Sequence, residues 1–294
     1  MGKEPRVTAA LVVLILVARG PGAAQTEGRE RPAGTMAPLP LAQAGRDFLN
    51  DEGRIWSSPA RIKTRDIAPL LAVGAAAAFL IAADERVRDS VQEYAGSHPW
   101  VGDVGPAVSH MGDLGAWATA GAFFGFGLLF KNERARDTGY LAAAAIVHCV
   151  IVGTVAKGLS GRQRPSFEDG EDHWWGPVGF VKRTEKGLSD KYESFWSGHT
   201  ANAFSLATVV ALQYRHKAWV PYVAYAVAAG VGLSRMTMDE HWASDVFCGA
   251  LLGHAVARLV VRRFDRRRRL VPMLACSRRG VSLSLVYDLD PAGI

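Results

Sequence analysis

The chain has 294 residues, 49% of them hydrophobic and 21% charged, with 34 Lys and Arg against 28 Asp and Glu for a formal net charge of +6. This composition excludes a disordered chain, a collagen-like or low-complexity chain and, with three cysteines, a disulfide-stapled mini-protein. A mean hydropathy of +0.06 leaves soluble and membrane classes open, because apolar runs alternate with charged connectors.

At the N-terminus, Lys3 and Arg6 precede an apolar stretch from Val7 to Ala18 and the small, turn-prone residues Gly20 to Ala24. Residues 1–24 read as a secretory signal peptide or an N-terminal anchor. Residues 25–65 mix Gly, Pro and charge and read as a linker with one short surface helix near Ala42–Asn50. Six apolar segments follow, at Ile67–Ala83, Pro106–Phe130, Gly139–Ala156, Thr200–Tyr214, Ala218–Leu233 and Ala243–Val261. They are rich in Ala, Leu, Val and Gly and lack strand-like alternation, which predicts helices. Their lengths straddle the roughly 20 residues of a bilayer span. The expected fold is all-α, a six-helix transmembrane bundle over residues 66–262. Residues 263–294 form a tail. Its basic start, within Arg262–Arg269, suits a cytoplasmic stop beside a membrane helix better than a nucleic-acid stripe. Leu270–Cys276 and Val281–Tyr287 flank a Gly-containing turn and predict a β-hairpin. Cys149, Cys248 and Cys276 have no CxxC partner and read as small buried hydrophobes.

Three polar patches fall at helix ends. The first, Lys157 to Pro165, closes the third segment; Lys157 and Arg164 are about two helical turns apart and suit a phosphate or carboxylate. The second opens the fourth segment: Ser197 is placed as an N-cap, Gly198 admits a ligand to the backbone, and His199 is a candidate proton donor at an anion-binding helix start. In the third, Arg235 ends the fifth segment, and His241 and Asp245 begin the sixth four residues apart, on one helical face. A carboxylate beside an imidazole fixes its tautomer and leaves the other nitrogen free to attack.

Taken together, the patches resemble the signature of the type 2 phosphatidic acid phosphatase superfamily, which also contains bacterial acid phosphatases and vanadium haloperoxidases. Lys157 stands six residues before Arg164-Pro165; Ser197-Gly198-His199 matches the second motif; Ser234-Arg235, His241 and Asp245 match the third. Trp196 departs from the pattern, standing where the family usually has proline. The resemblance covers roughly Asp66 to Val261. It implies a phosphatase in which His241 is the nucleophile and forms a phosphohistidine, Asp245 orients it, and His199 protonates the leaving oxygen. Lys157, Arg164, Arg235, Ser197 and the Gly198 N–H would hold the phosphoryl oxygens. Charge spreads over those oxygens in the transition state, so fixed cations can supply the stabilisation. No cofactor and no metal are expected; Asp169, Glu171, Asp172 and His173 cluster in a loop without metal-site spacing.

Antiparallel helices put the three patches on one side. The opposite connections carry Lys131, Arg134, Arg136, Arg215, Lys217 and the Arg262–Arg269 block, so the positive-inside rule turns the site outward, to the periplasmic face of a bacterial inner membrane. A cleaved signal conflicts with this, since three spans from an outside start would deliver Lys157 to the cytoplasm. Either Ile67–Ala83 does not span, or the leader is not a cleaved signal, or the bundle is soluble in the periplasm. Arg61, Lys63 and Arg65 favour a cytoplasmic start. The expected partners are a lipid phosphate or pyrophosphate and the membrane, with no nucleic acid and no inferable protein partner. Competing functions are a soluble periplasmic acid phosphatase, a vanadate-dependent haloperoxidase and a non-enzymatic lipid-binding scaffold. Trp174, Trp175 and Phe180, in the loop before the second motif, are candidates for the membrane interface or for loop packing.

Overall fold

The computed structural model describes residues 41–167, 173–182, 190–268, 270–277 and 280–287. The expected leader at 1–24 lies outside them. The described helices are α1 (Leu41–Trp56), α2 (Thr64–Ser97), α3 (Pro99–His110), α4 (Leu114–Leu129), α5 (Glu133–Ser160), the short α6 (Pro177–Lys182), α7 (Gly198–Gln213), α8 (Trp219–Thr237) and α9 (Ala243–Arg268). Strands β1 (Leu270–Ser277) and β2 (Gly280–Tyr287) pair antiparallel, Leu270 opposite Tyr287 and Ser277 opposite Gly280.

The six apolar segments fall in seven helices, because Pro106–Phe130 divides between α3 and α4. The break has a local cause. A Cβ on Gly112 would stand 2.6 Å from the backbone oxygen of His199, so the chain turns where it meets the start of α7. The first segment is longer than its apolar run: α2 continues fourteen residues beyond Ala83, to Ser97, and its polar end reaches the third motif.

The core joins α5, α7 and α9. Leu141, Ala145, Cys149, Val152, Ala201, Val209, Leu252, Val256 and Val260 are buried in one cluster. Small residues on all three helices let the backbones approach, and packing rather than amphipathic patterning holds them. The helix expected on the surface of the linker is instead docked. Ile55 enters the core, Phe48 stacks on His148 at 4.6 Å, Glu52 meets His148 Nδ1 at 2.6 Å, and Asp47 lies 3.3 Å from Arg263. Its acidic face finds His148 on α5 and Arg263 on α9, distant in sequence, which the local pattern of 25–65 does not reveal.

Thr64–Ser97, Glu133–Ser160 and Ala243–Arg266 are long and apolar enough to cross a membrane, and Leu114–Leu129 is a shorter apolar helix. The outer faces are apolar as well. Phe79 is 72% exposed, Leu129 80% and Tyr222 78%, on three different helices. Large apolar side chains so exposed on several helices suit lipid better than water.

Candidate active site

The end of α5, the starts of α7 and α9 and the end of α8 meet at one end of the bundle. α5 stops at Gly161, which is left-handed at φ 50° and returns its N–H to the Lys157 carbonyl at 3.0 Å. The chain then runs extended, so Arg164 is not on the helix with Lys157, as the seven-residue spacing suggested. Arg164 is held by its N–H to the Lys191 carbonyl at 2.8 Å. The Gln163 carbonyl accepts from Trp242 Nε1 at 2.8 Å, tying the first motif to the third.

Ser197 is buried and caps α7, its Oγ accepting from Thr200 N–H at 3.4 Å and from Thr200 Oγ1 at 2.9 Å. Gly198 and His199 follow at the helix start, where backbone N–H groups are free of intrahelical partners. A Cβ on Gly198 would meet nothing within 4 Å, so the space in front of this turn is open. Trp196, in the place of the usual proline, is completely buried and packs edge-on against Phe195. The Ser197 N–H donates to the Asp245 carbonyl at 3.2 Å, joining second and third motifs.

Arg235, in the last turn of α8, donates from Nη1 to Ser109 Oγ at 2.7 Å, and its Nη2 lies 3.4 Å from Glu240 Oε2. Arg164 pairs with that same Glu240 oxygen. Lys157 Nζ is 3.8 Å from Glu193. His241 sits just ahead of α9, 3% exposed. Burial, and then the positive charges of Arg164, Arg235 and Lys157 and the ring of His199, hold its imidazole well below the ordinary value of 6.5. Burial likewise lowers Arg164 from its ordinary value.

Asp245 is the third residue of α9 and acts as the acidic half of a capping pair, its Oδ2 accepting the Trp242 N–H at 3.0 Å. The same oxygen accepts from Ser194 Oγ at 2.5 Å, while Oδ1 accepts from Arg162 Nη1 at 2.6 Å. Its distance to His241 Nδ1 is 3.7 Å, beyond a hydrogen bond. Among the described residues, His241 Nδ1 has no hydrogen-bond partner. The i,i+4 pair is therefore a close electrostatic pair rather than a bonded one.

Several residues at this end were not singled out from the sequence. Arg162 is fully buried between Asp245 and Asp84 of α2, with Ser244 beside it. Arg162 lies inside the first basic patch, two residues before Arg164. Asp84 is a carboxylate at the end of an apolar run, and the segment as read stops one residue short of it; an ionisable group there is itself a functional signal. Trp174 covers the Arg162 guanidinium at 4.6 Å, so this aromatic packs on the site; Trp175 is 40% exposed. His173 is described, while Asp169, Glu171 and Asp172 lie outside the described residues. Among the described residues no group of three or more His, Cys, Asp or Glu is placed to hold a metal ion.

Residues 137–269 match the model of the PAP2 superfamily. Over 67 residues the chain is 46% identical to the lipid A 1-phosphatase of Porphyromonas gingivalis, a stretch covering 22% of this chain and 15% of that protein. It is 29% identical over 197 residues to the protein named Probable diacylglycerol pyrophosphate phosphatase 1 of Schizosaccharomyces pombe, covering 59% of this chain and 70% of the relative. Among solved structures, a transmembrane PAP2 type phosphatidylglycerolphosphate phosphatase from Bacillus subtilis aligns with a TM-score of 0.47 at 23% identity, over 67% of this chain and 96% of that one. Aquifex aeolicus LpxE aligns with a TM-score of 0.45 at 20% identity, over 60% and 93%.

Proposed function

Because the chain carries a PAP2 superfamily domain, we propose that it is a phosphatase that hydrolyses a lipid phosphate or pyrophosphate through a phosphohistidine on His241, without need of a metal. The observation that carries this reading is the burial of His241 among Arg164, Arg235, Lys157 and His199. A buried imidazole held neutral keeps its lone pair, and the cations around it can stabilise the charge of an arriving phosphoryl group.

In the first step a His241 ring nitrogen bonds to phosphorus. Nδ1 faces Asp245, so Nε2 is the attacking atom. The P–O bond to the lipid breaks, and the departing oxygen takes its proton from His199, whose pKa burial and then Arg235 hold down at about 4 until the negative charge of the phosphate arrives beside it. Arg164, Arg235 and Lys157, with Ser197 Oγ and the Gly198 N–H, hold the phosphoryl oxygens as charge spreads over them. Asp245 lies against the positive charge that the ring acquires. In the second step a water gives a proton to His199 and its oxygen to phosphorus, and the P–N bond breaks.

A lipid substrate is supported by a groove of about 670 Å³ between α2, α3 and α8, whose walls include Val87, Val91, Trp100, Val104 and Leu233. It also takes in Ser234 and Met236, the neighbours of Arg235, so an acyl or prenyl chain lying there leaves its phosphate beside the cations. The long apolar helices support a membrane protein. The start of α2, the connections bearing Lys131 and Arg215 and the end of α9 bearing Arg262 lie at the end away from the site, where Arg134 at the start of α5 is 3.1 Å from His216. By the positive-inside rule that end is cytoplasmic and the site faces the periplasm of a bacterial inner membrane. Residues 66–262 are the phosphatase domain in this reading, with the tail beyond.

The test is phosphate release by purified protein from a panel of lipid phosphates and pyrophosphates, with and without EDTA, beside His241→Ala. EDTA-resistant release that disappears in the variant is expected. Release that EDTA abolishes, or that the variant retains, would overturn the mechanism.

A further inference from the structure

We infer that Asp84 and Arg162 are positioning residues that fix the Asp245 carboxylate against His241, making the first long helix part of the catalytic apparatus. The inference rests on the roles of His241 and Asp245 proposed above. Arg162 spans two carboxylates, with Nη1 2.6 Å from Asp245 Oδ1 and Nη2 2.6 Å from Asp84 Oδ2. All three side chains are 0% exposed. Ser244 completes the network: its Oγ accepts from Arg162 Nη1 at 2.7 Å and donates to Asp84, and its N–H donates to Asp84 Oδ1 at 2.9 Å. The rings of Trp174 and Trp242 cover the guanidinium at 4.6 and 5.3 Å.

The consequence is geometric. With Oδ1 taken by Arg162, and Oδ2 by Ser194 and the Trp242 N–H, the Asp245 carboxylate cannot turn. The oxygen left toward His241 is Oδ2, at 3.7 Å. A buried ion network is weak support for stability, since its desolvation cost rivals its Coulomb gain. Three fully buried polar side chains at the catalytic end therefore call for another role, and fixing one carboxylate is the role their contacts describe.

The experiment uses the full chain in detergent with a lipid phosphate that the wild type dephosphorylates. Asp84→Asn is expected to lower kcat by about 10- to 100-fold with KM within about threefold, since a misplaced catalytic group costs rate more than binding. Arg162→Lys keeps one charged contact but loses the fork, and its kcat should fall between those of wild type and Arg162→Gln. The double variant Asp84→Asn, Arg162→Gln leaves no buried guanidinium without its carboxylate, which protects the fold. Its kcat should remain at least about tenfold down. Wild-type kcat in any folded member of the set would overturn the inference. So would recovery of kcat in the double variant along with its melting temperature, which is the pattern of a purely structural pair. A rise in KM at unchanged kcat would also overturn it. Absence of phosphate release by the wild type would overturn the phosphatase reading beneath it.

Discussion

Glu240 places its Oε2 3.4 Å from Nη2 of Arg235 and offers the same oxygen to Arg164. An internal carboxylate therefore occupies the two arginines that would clamp a phosphoryl group, and an arriving phosphate must displace it. The Glu240 side chain is 32% exposed, so solvent screens the contact and its displacement is cheap. Glu240→Gln should tighten competitive inhibition by inorganic phosphate by about three- to tenfold, on the order of one kcal/mol. An unchanged or weakened inhibition constant would show that the carboxylate does not compete for the clamp.

His241→Ala should lower turnover by about 10³-fold or more, because loss of a covalent nucleophile is not compensated by the binding groups. The companion measurement is protein quenched in alkaline detergent after mixing with labelled substrate, with one portion then acidified. Wild type is expected to carry acid-labile, base-stable phosphate and the variant none. Label that survives acid in the wild type would point to a different nucleophile.

The pH dependence has a defined sign. As the proposed nucleophile His241 must be neutral, and burial followed by Arg164, Arg235, Lys157 and His199 holds it well below 6.5 when folded. The acid limb of kcat/KM that this group contributes should therefore lie below 6.5. In the unfolded chain the same ring takes up a proton near its ordinary value, so the unfolded state binds more protons below about pH 6.5. Stability then falls with pH below that point. Between pH 7 and pH 5 the wild type should lose more melting temperature than His241→Ala; equal losses would mean that the ring is protonated in the fold.

Filling the apolar groove should separate long substrates from short ones. A Cβ on Gly105 stands in ordinary contact with Met238, 3.5 Å away, so a leucine there can be accommodated while its tip enters the groove. Gly105→Leu should raise KM for a long-chain lipid phosphate by about tenfold, since several buried methylenes at ~0.8 kcal/mol each are displaced. For a water-soluble phosphate ester it should leave kcat/KM within about twofold. Equal loss on both substrates would remove the groove from chain binding.

How much could be read before the structure follows from where each constraint resides. Helix ends are local, so the patches at Lys157–Pro165, Trp196–Thr200 and Ser234–Asp245 are visible as sequence, and alternating helix direction brings them to one end. The capping role of Ser197 comes from the same local chemistry, whereas that of Asp245 is seen only in the structure. What sequence spacing does not carry is pairing across the bundle. Asp84 acquires its meaning from Arg162, seventy-eight residues away, and the acids of α1 from His148 and Arg263. The interruption at Gly112 depends on the backbone of His199, which no local pattern reports. Arg164 is an instance of the converse error: a spacing suited to a helix, in a stretch where Gly161 has already ended it.

The attachment of α2 to the third motif has a further consequence. Beyond Asp84, Arg88 holds both oxygens of Asp239 at 2.7 and 2.6 Å, and Gln92 Nε2 donates to the Met236 carbonyl at 2.9 Å. These anchors lie outside residues 137–269, the segment that carries every signature residue. A chimaera that transplanted only that segment behind a foreign first helix would inherit the whole chemical inventory and lose the scaffold that sets the loop. The structural unit that such a transplant must carry is thus the signature segment together with one face of a helix that the signature does not mention.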